Sequence, residues 1–101
     1  MARTPGPTDR SEQAEALALE ALAHLAGDPE RLGAFLGATG IGPDEIRALA
    51  RQPEFLGAVL DHLLSDDALV LDFCRAHDLR PESVMRARTC LPGAPLERDL
   101  P

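Results

Sequence analysis

The sequence predicts an all-α protein, a compact array of about six short helices with no β-strand. Two observations carry this. Four prolines are each followed directly by an acid: Pro29-Glu30, Pro43-Asp44, Pro53-Glu54 and Pro81-Glu82. Proline suits the first turn of a helix, where its missing N–H would have no partner. An acid there faces the positive end of the helix dipole. The second observation is spacing. Apolar residues recur three and four apart, and no segment alternates with period two.

Each element follows from these rules. The first helix is expected over Ser11–Ala26, with Leu17, Ala18, Ala21, Leu22 and Leu25 inward and Glu12, Glu20 and His24 outward. Gly27 ends it. Asp28 caps the second helix, Leu32, Phe35 and Leu36 form its stripe, and Gly40 is its left-handed stop. A third helix opens at Pro43 and carries Ile46, Leu49 and Ala50. The fourth opens at Pro53 and is the most apolar, with Phe55, Leu56, Val59, Leu60, Leu63 and Leu64 over about half its circumference. Ser65-Asp66-Asp67 starts the fifth with a hydroxyl cap, and Leu69, Val70, Phe73 and Cys74 point inward. The sixth follows Pro81, with Val84, Ala87 and Leu91 inward.

The 101 residues suit one domain. Met1–Arg10 and Pro92–Pro101 lack apolar periodicity and read as a disordered N-terminal and a flexible C-terminal tail, leaving 11–91 as the helical domain. A domain this small hides only roughly 60–65 % of its unfolded surface. Its stability should be about 4–12 kcal/mol.

Ten arginines oppose seventeen acids, lysine is absent, and the net charge is -7. That charge repels phosphate backbones and anionic membranes. Only the stretch 71–90, with Arg75, Arg80, Arg86 and Arg88 against three acids, could attract them. There is no apolar leader and no run approaching the roughly 20 residues of a membrane span. Two cysteines make no disulfide framework. The expected setting is therefore cytoplasmic and reducing.

The chain contains one internal echo. Pro29–Leu36 matches Pro53–Leu60 at six of eight positions, a period of 24 residues. A third copy, which a solenoid needs, is missing. Two similar helical units packed as a pair are expected instead. Gly33 and Gly57 take equivalent places inside helices, where glycine costs ~1 kcal/mol against alanine. Close approach of the two glycines is the expected compensation.

Phe73–Thr89, within residues 66–91, has the spacing of a helix-turn-helix. Cys74 is small, Asp78 sits at the turn, and Val84 lies inside the second helix. In that reading Arg80, Arg86 and Arg88 contact phosphates or guanine edges. The simpler reading is a packing corner between two helices. His77 reads as a partly buried capping histidine, and His24 and His62 as solvent-facing. Cys74, His77 and Cys90 lack the spacing of a zinc site, and buried inert thiols are expected. Asp61, Asp66, Asp67 and Asp72 read as caps and outer-face acids rather than a cation loop. No catalytic triad, phosphate loop or poised base is present, and nothing indicates a cofactor or metal.

Ala23–Leu32, Phe35–Ile41, Pro53–Leu60 and Leu91-Pro-Gly93 together resemble domain of unknown function 3572, a set of short alphaproteobacterial proteins. The resemblance covers Ala21 to Gly93 and implies a helical fold. The family has no assigned activity to carry over. Gln52 departs from the aspartate cap expected before Pro53. The residues point first to a protein-interaction or regulatory module whose partner is another protein. The alternative is a nucleic-acid regulator using residues 66–91, which the charge disfavours. An enzyme ranks third, and a homodimer would suit a domain of this size.

Overall fold

The computed structural model describes residues 7–92. It holds six α-helices: α1 (Pro7–Ala26), α2 (Pro29–Thr39), α3 (Ile46–Leu49), α4 (Pro53–Leu64), α5 (Asp67–His77) and α6 (Pro81–Thr89). A single 3-10 turn, Pro43–Glu45, leads into α3. No strand occurs among the described residues.

Local chemistry accounts for most boundaries. The Asp28 carboxylate accepts the Glu30 N–H at 3.0 Å, and Asp66 accepts those of Ala68 and Leu69 at 3.0 and 3.2 Å. Each satisfies a donor the first turn leaves open. Gln52 and Arg80 give no side-chain cap, so α4 and α6 start on Pro53 and Pro81 alone. Gly40 closes α2 at φ 75°, donating its N–H to the Leu36 carbonyl at 2.8 Å. Asp78 closes α5 at φ 56°, a left-handed position that aspartate tolerates better than most residues.

Several expectations need correction. The first helix begins at Pro7, not Ser11, so residues 7–10 of the expected tail are helical. Residues 1–6 and 93–101, the rest of both expected tails, lie outside the described residues. The third helix is only a 3-10 turn and one α-turn. Asp66, not Ser65, caps α5. The Ser65 hydroxyl closes α4 instead, donating to the His62 carbonyl at 2.7 Å.

α4 is the centre, packed against α1, α5 and α6. Its Phe55, Leu56, Val59, Leu60 and Leu63 are buried. Burying each such side chain contributes about 1.5–3 kcal/mol. α1 presents Ala14, Ala18 and Ala21, all buried, and small residues at a contact let helix axes approach closely. α2 joins the core through Phe35, whose ring meets Phe55 edge-on at 5.9 Å and His62 at 5.2 Å.

The two glycines do not meet. Gly33 has no atom within 4 Å of where a Cβ would stand. A Cβ on Gly57 would lie 3.0 Å from Arg88 Nη1 and from the Pro92 carbonyl oxygen. Gly57 is the gap that admits Arg88. Arg88, 6 % exposed as a residue, is the buried charged residue among those described. Its Nε and Nη2 donate to Asp61 Oδ1 and Oδ2 at 2.6 and 3.0 Å. Its Nη1 donates to the carbonyls of Leu91 and Pro92, each at 3.2 Å. A bidentate carboxylate and two carbonyls satisfy a guanidinium that burial would otherwise penalise. The same bonds pin the chain after α6 against α4.

Candidate functional site

Arg80, Arg86 and Arg88 do not share a surface. Arg80 stands exposed before α6. Arg88 faces α4 and binds Asp61, so it is not available to phosphates or bases. Two residues on a helix turn through about 200°, so Arg86 points nearly opposite to Arg88. α5 and α6 are joined by a short corner, residues 78–80. Cys74 and Val84 are buried and Asp78 makes the turn. Of the expected reading residues, Arg80 and Arg86 stay on the surface.

Arg86 lines an open groove of about 640 Å³ between α1 and α6. Arg10, Gln13 and Leu17 form the α1 wall, and Ser83, Arg86 and Cys90 the α6 wall. Ala14 and Ala87, both buried, make the floor. Short floor residues between longer walls are what opens the groove. No acid among the described residues lines it. Among the described residues neither Arg10 nor Arg86 pairs with a carboxylate. The α1 wall was missed from sequence because Arg10 was assigned to a tail. The signal was present, since Pro7 is followed two residues on by Asp9.

A second hollow, of about 430 Å³, lies between α2 and the start of α5. Arg31 and His62 line it, but so do Asp66 and Asp67, which oppose the positive charge.

The histidines form two aromatic clusters, and His24 and His62 are half-buried rather than solvent-facing, while His77 is exposed. His62 meets Phe35 edge-on. His24 meets Phe73 at 5.5 Å and His77 meets it at 4.6 Å, so all three rings converge where α1 crosses α5. The His24 side chain is only 17 % exposed, against the expected solvent-facing role. Its Nε2 lies 3.3 Å from Asp72 Oδ2, which also accepts from Arg31 Nη1. His77 Nδ1 lies 3.8 Å from Glu20 Oε1. This network ties α1, α2 and α5 together, and only tertiary contact reveals it. The Arg31 hydrogen bond holds the Asp72 carboxyl below the usual carboxylate range and raises the guanidinium in turn.

Both cysteines are free, Cys74 buried and Cys90 half-buried. Burial first, and Glu82 second, push the Cys74 thiol up, which disfavours its thiolate. Among the described residues no three His, Cys, Asp or Glu side chains are placed to hold a metal ion. No helix there is long and apolar enough to cross a membrane.

A family model described as "Protein of unknown function (DUF3572)" matches residues 11–94. No curated protein and no solved structure matches the chain.

Proposed function

The chain belongs to the DUF3572 family, and on that premise we propose that it is a small protein-binding module whose docking face is the α1–α6 groove. The observation that carries this is the groove itself. It is concave and, among the described residues, lined by no acid and flanked by two arginines without carboxylate partners, on a chain of net charge -7. Its volume falls within the roughly 300–1,000 Å³ of ligand sites. In this reading the protein acts in the cytoplasm and regulates its partner by occupancy rather than by chemistry.

The nucleic-acid alternative keeps the α5–α6 corner but has little to read with. α6 is nine residues long, Arg88 is buried, and Arg86 faces α1. The net charge opposes it further.

The test is a pull-down from native lysate with the wild-type chain and a Gln13→Trp variant, each split into nuclease-treated and untreated halves. Gln13 is exposed on the groove wall, so tryptophan fills the groove without entering the core. A protein captured by the wild type, lost with Gln13→Trp and resistant to nuclease supports the reading. Capture that disappears with nuclease moves the assignment to nucleic acid. Capture indifferent to Gln13→Trp removes the groove.

A further inference from the structure

We propose that the occupant of the α1–α6 groove is an acidic peptide segment of a separate protein. It lays an apolar side chain against Leu17 and brings carboxylates to Arg10 and Arg86. This rests on the docking reading above and names its partner class.

The argument is charge complementarity. Most of the surface carries the excess of seventeen acids over ten arginines. In the groove the sign is reversed: one guanidinium stands on each wall, and among the described residues no carboxylate lies between them. Among the described residues Arg47, Arg51, Arg75 and Arg80 also lack a carboxylate partner, so what sets Arg10 and Arg86 apart is that they face each other across one groove. Arg31 is bound by Asp72, and Arg88 by Asp61. Where Arg31 lines a hollow, Asp66 and Asp67 stand beside it. Guanidinium pairs with carboxylate through two parallel N–H donors, so two rim arginines select acidic side chains.

The lining sets the rest of the requirement. Leu17 and the alanine floor offer apolar contact, while Gln13 and Ser83 can bond a peptide backbone. That favours an apolar residue flanked by acids over an all-polar acidic run. The net charge of -7 repels such a partner at a distance. Charges beyond a Debye length of about 8 Å are largely screened at physiological salt, so groove pairs outweigh remote acids once contact is made. A basic segment would meet only repulsion in the groove.

The experiment uses the full chain, fluorescently labelled, on an array of short unmodified peptides of varied acid and apolar content. Wild type, Arg10→Glu/Arg86→Glu and Gln13→Trp are compared at equal salt. All three positions are exposed, and matching thermal melts establish that the variants fold. The expected result is preference for peptides with an apolar residue between acids. Charge reversal lowers that affinity roughly tenfold or more, and Gln13→Trp abolishes it. Binders without acid preference, kept by the double variant but lost with Gln13→Trp, overturn the acidic partner and leave the docking reading intact. Binders unaffected by Gln13→Trp, or no binders, overturn the proposal, and the pull-down judges the docking reading alone. Light scattering covers the remaining occupant: a dimer that Arg10→Glu/Arg86→Glu dissociates assigns the groove to a second copy and overturns the separate partner.

Discussion

Pro29–Leu36 and Pro53–Leu60 share six of eight residues, yet one lies at the rim of the fold and the other at its centre. Leu32 and Leu36 are half-buried, while their equivalents Leu56 and Leu60 are buried. Gly33 faces open space and Gly57 lies under Arg88. The segments in front also differ, because α1 is 20 residues long and α3 only four. Of the two mismatched positions, Phe35 and Val59 are both buried, and the other pair shows what the environment asks for. Arg31 reaches Asp72 at the surface, whereas its counterpart Phe55 packs on Phe35 inside. Equal sequence thus sets equal helices, and neighbours decide what each residue is worth.

The glycine pair breaks the comparison most sharply. Gly57→Leu displaces Arg88 from Asp61 and overfills the contact with Pro92, and should cost about 3 kcal/mol or more. Gly33→Leu meets nothing and removes a helix-interior glycine, so it should leave stability unchanged or raise it by about 1 kcal/mol. Urea unfolding measures both, and equal losses would contradict the asymmetry.

The leucine pair sharpens it. Leu56→Ala should cost about 2–5 kcal/mol, the range for buried leucines. Leu32→Ala, partly in water already, should cost roughly 1 kcal/mol. A Leu32 loss as large as that at Leu56 would show that Leu32 is as deeply packed as its counterpart and contradict the asymmetry.

The smallest effect concerns Arg31, the residue that makes α2 different. Asp72 has its carboxyl lowered by the Arg31 hydrogen bond. Its stabilisation is therefore present above the ordinary carboxyl value of 3.8 and is lost as pH falls through the lower folded value. Asp72→Asn should flatten the acid limb of the stability curve below about pH 4 and leave its shape near neutrality unchanged. An acid limb identical in both proteins would show that the pair adds nothing to folding.

Helix number and class were legible because their signals are local. Asp28, Pro53 and Gly40 act on atoms within one turn of themselves. The inward faces of α4, α5 and α6 could be read from periodicity for the same reason, since Leu56, Leu60 and Leu63 of α4, Leu69, Val70 and Phe73 of α5, and Val84 and Ala87 of α6 recur three or four residues apart. The start of α1 was misread because three turn-forming residues, Pro5, Gly6 and Pro7, masked a helix beginning on the last of them. Of the candidate site, only the α6 side was visible in advance, through Arg86.

By itself the sequence determined the all-helical class, most helix boundaries and which faces are apolar, because each rests on backbone chemistry within a few residues. Only the tertiary structure decided which copy of the repeat is central, that Arg88 turns inward to Asp61, that His24 joins Asp72, and that Arg10 and Arg86 bound one groove. Those outcomes depend on which helix lies opposite. Asp61 and Arg88 are 27 residues apart, and no pattern within one turn records a partner at that separation.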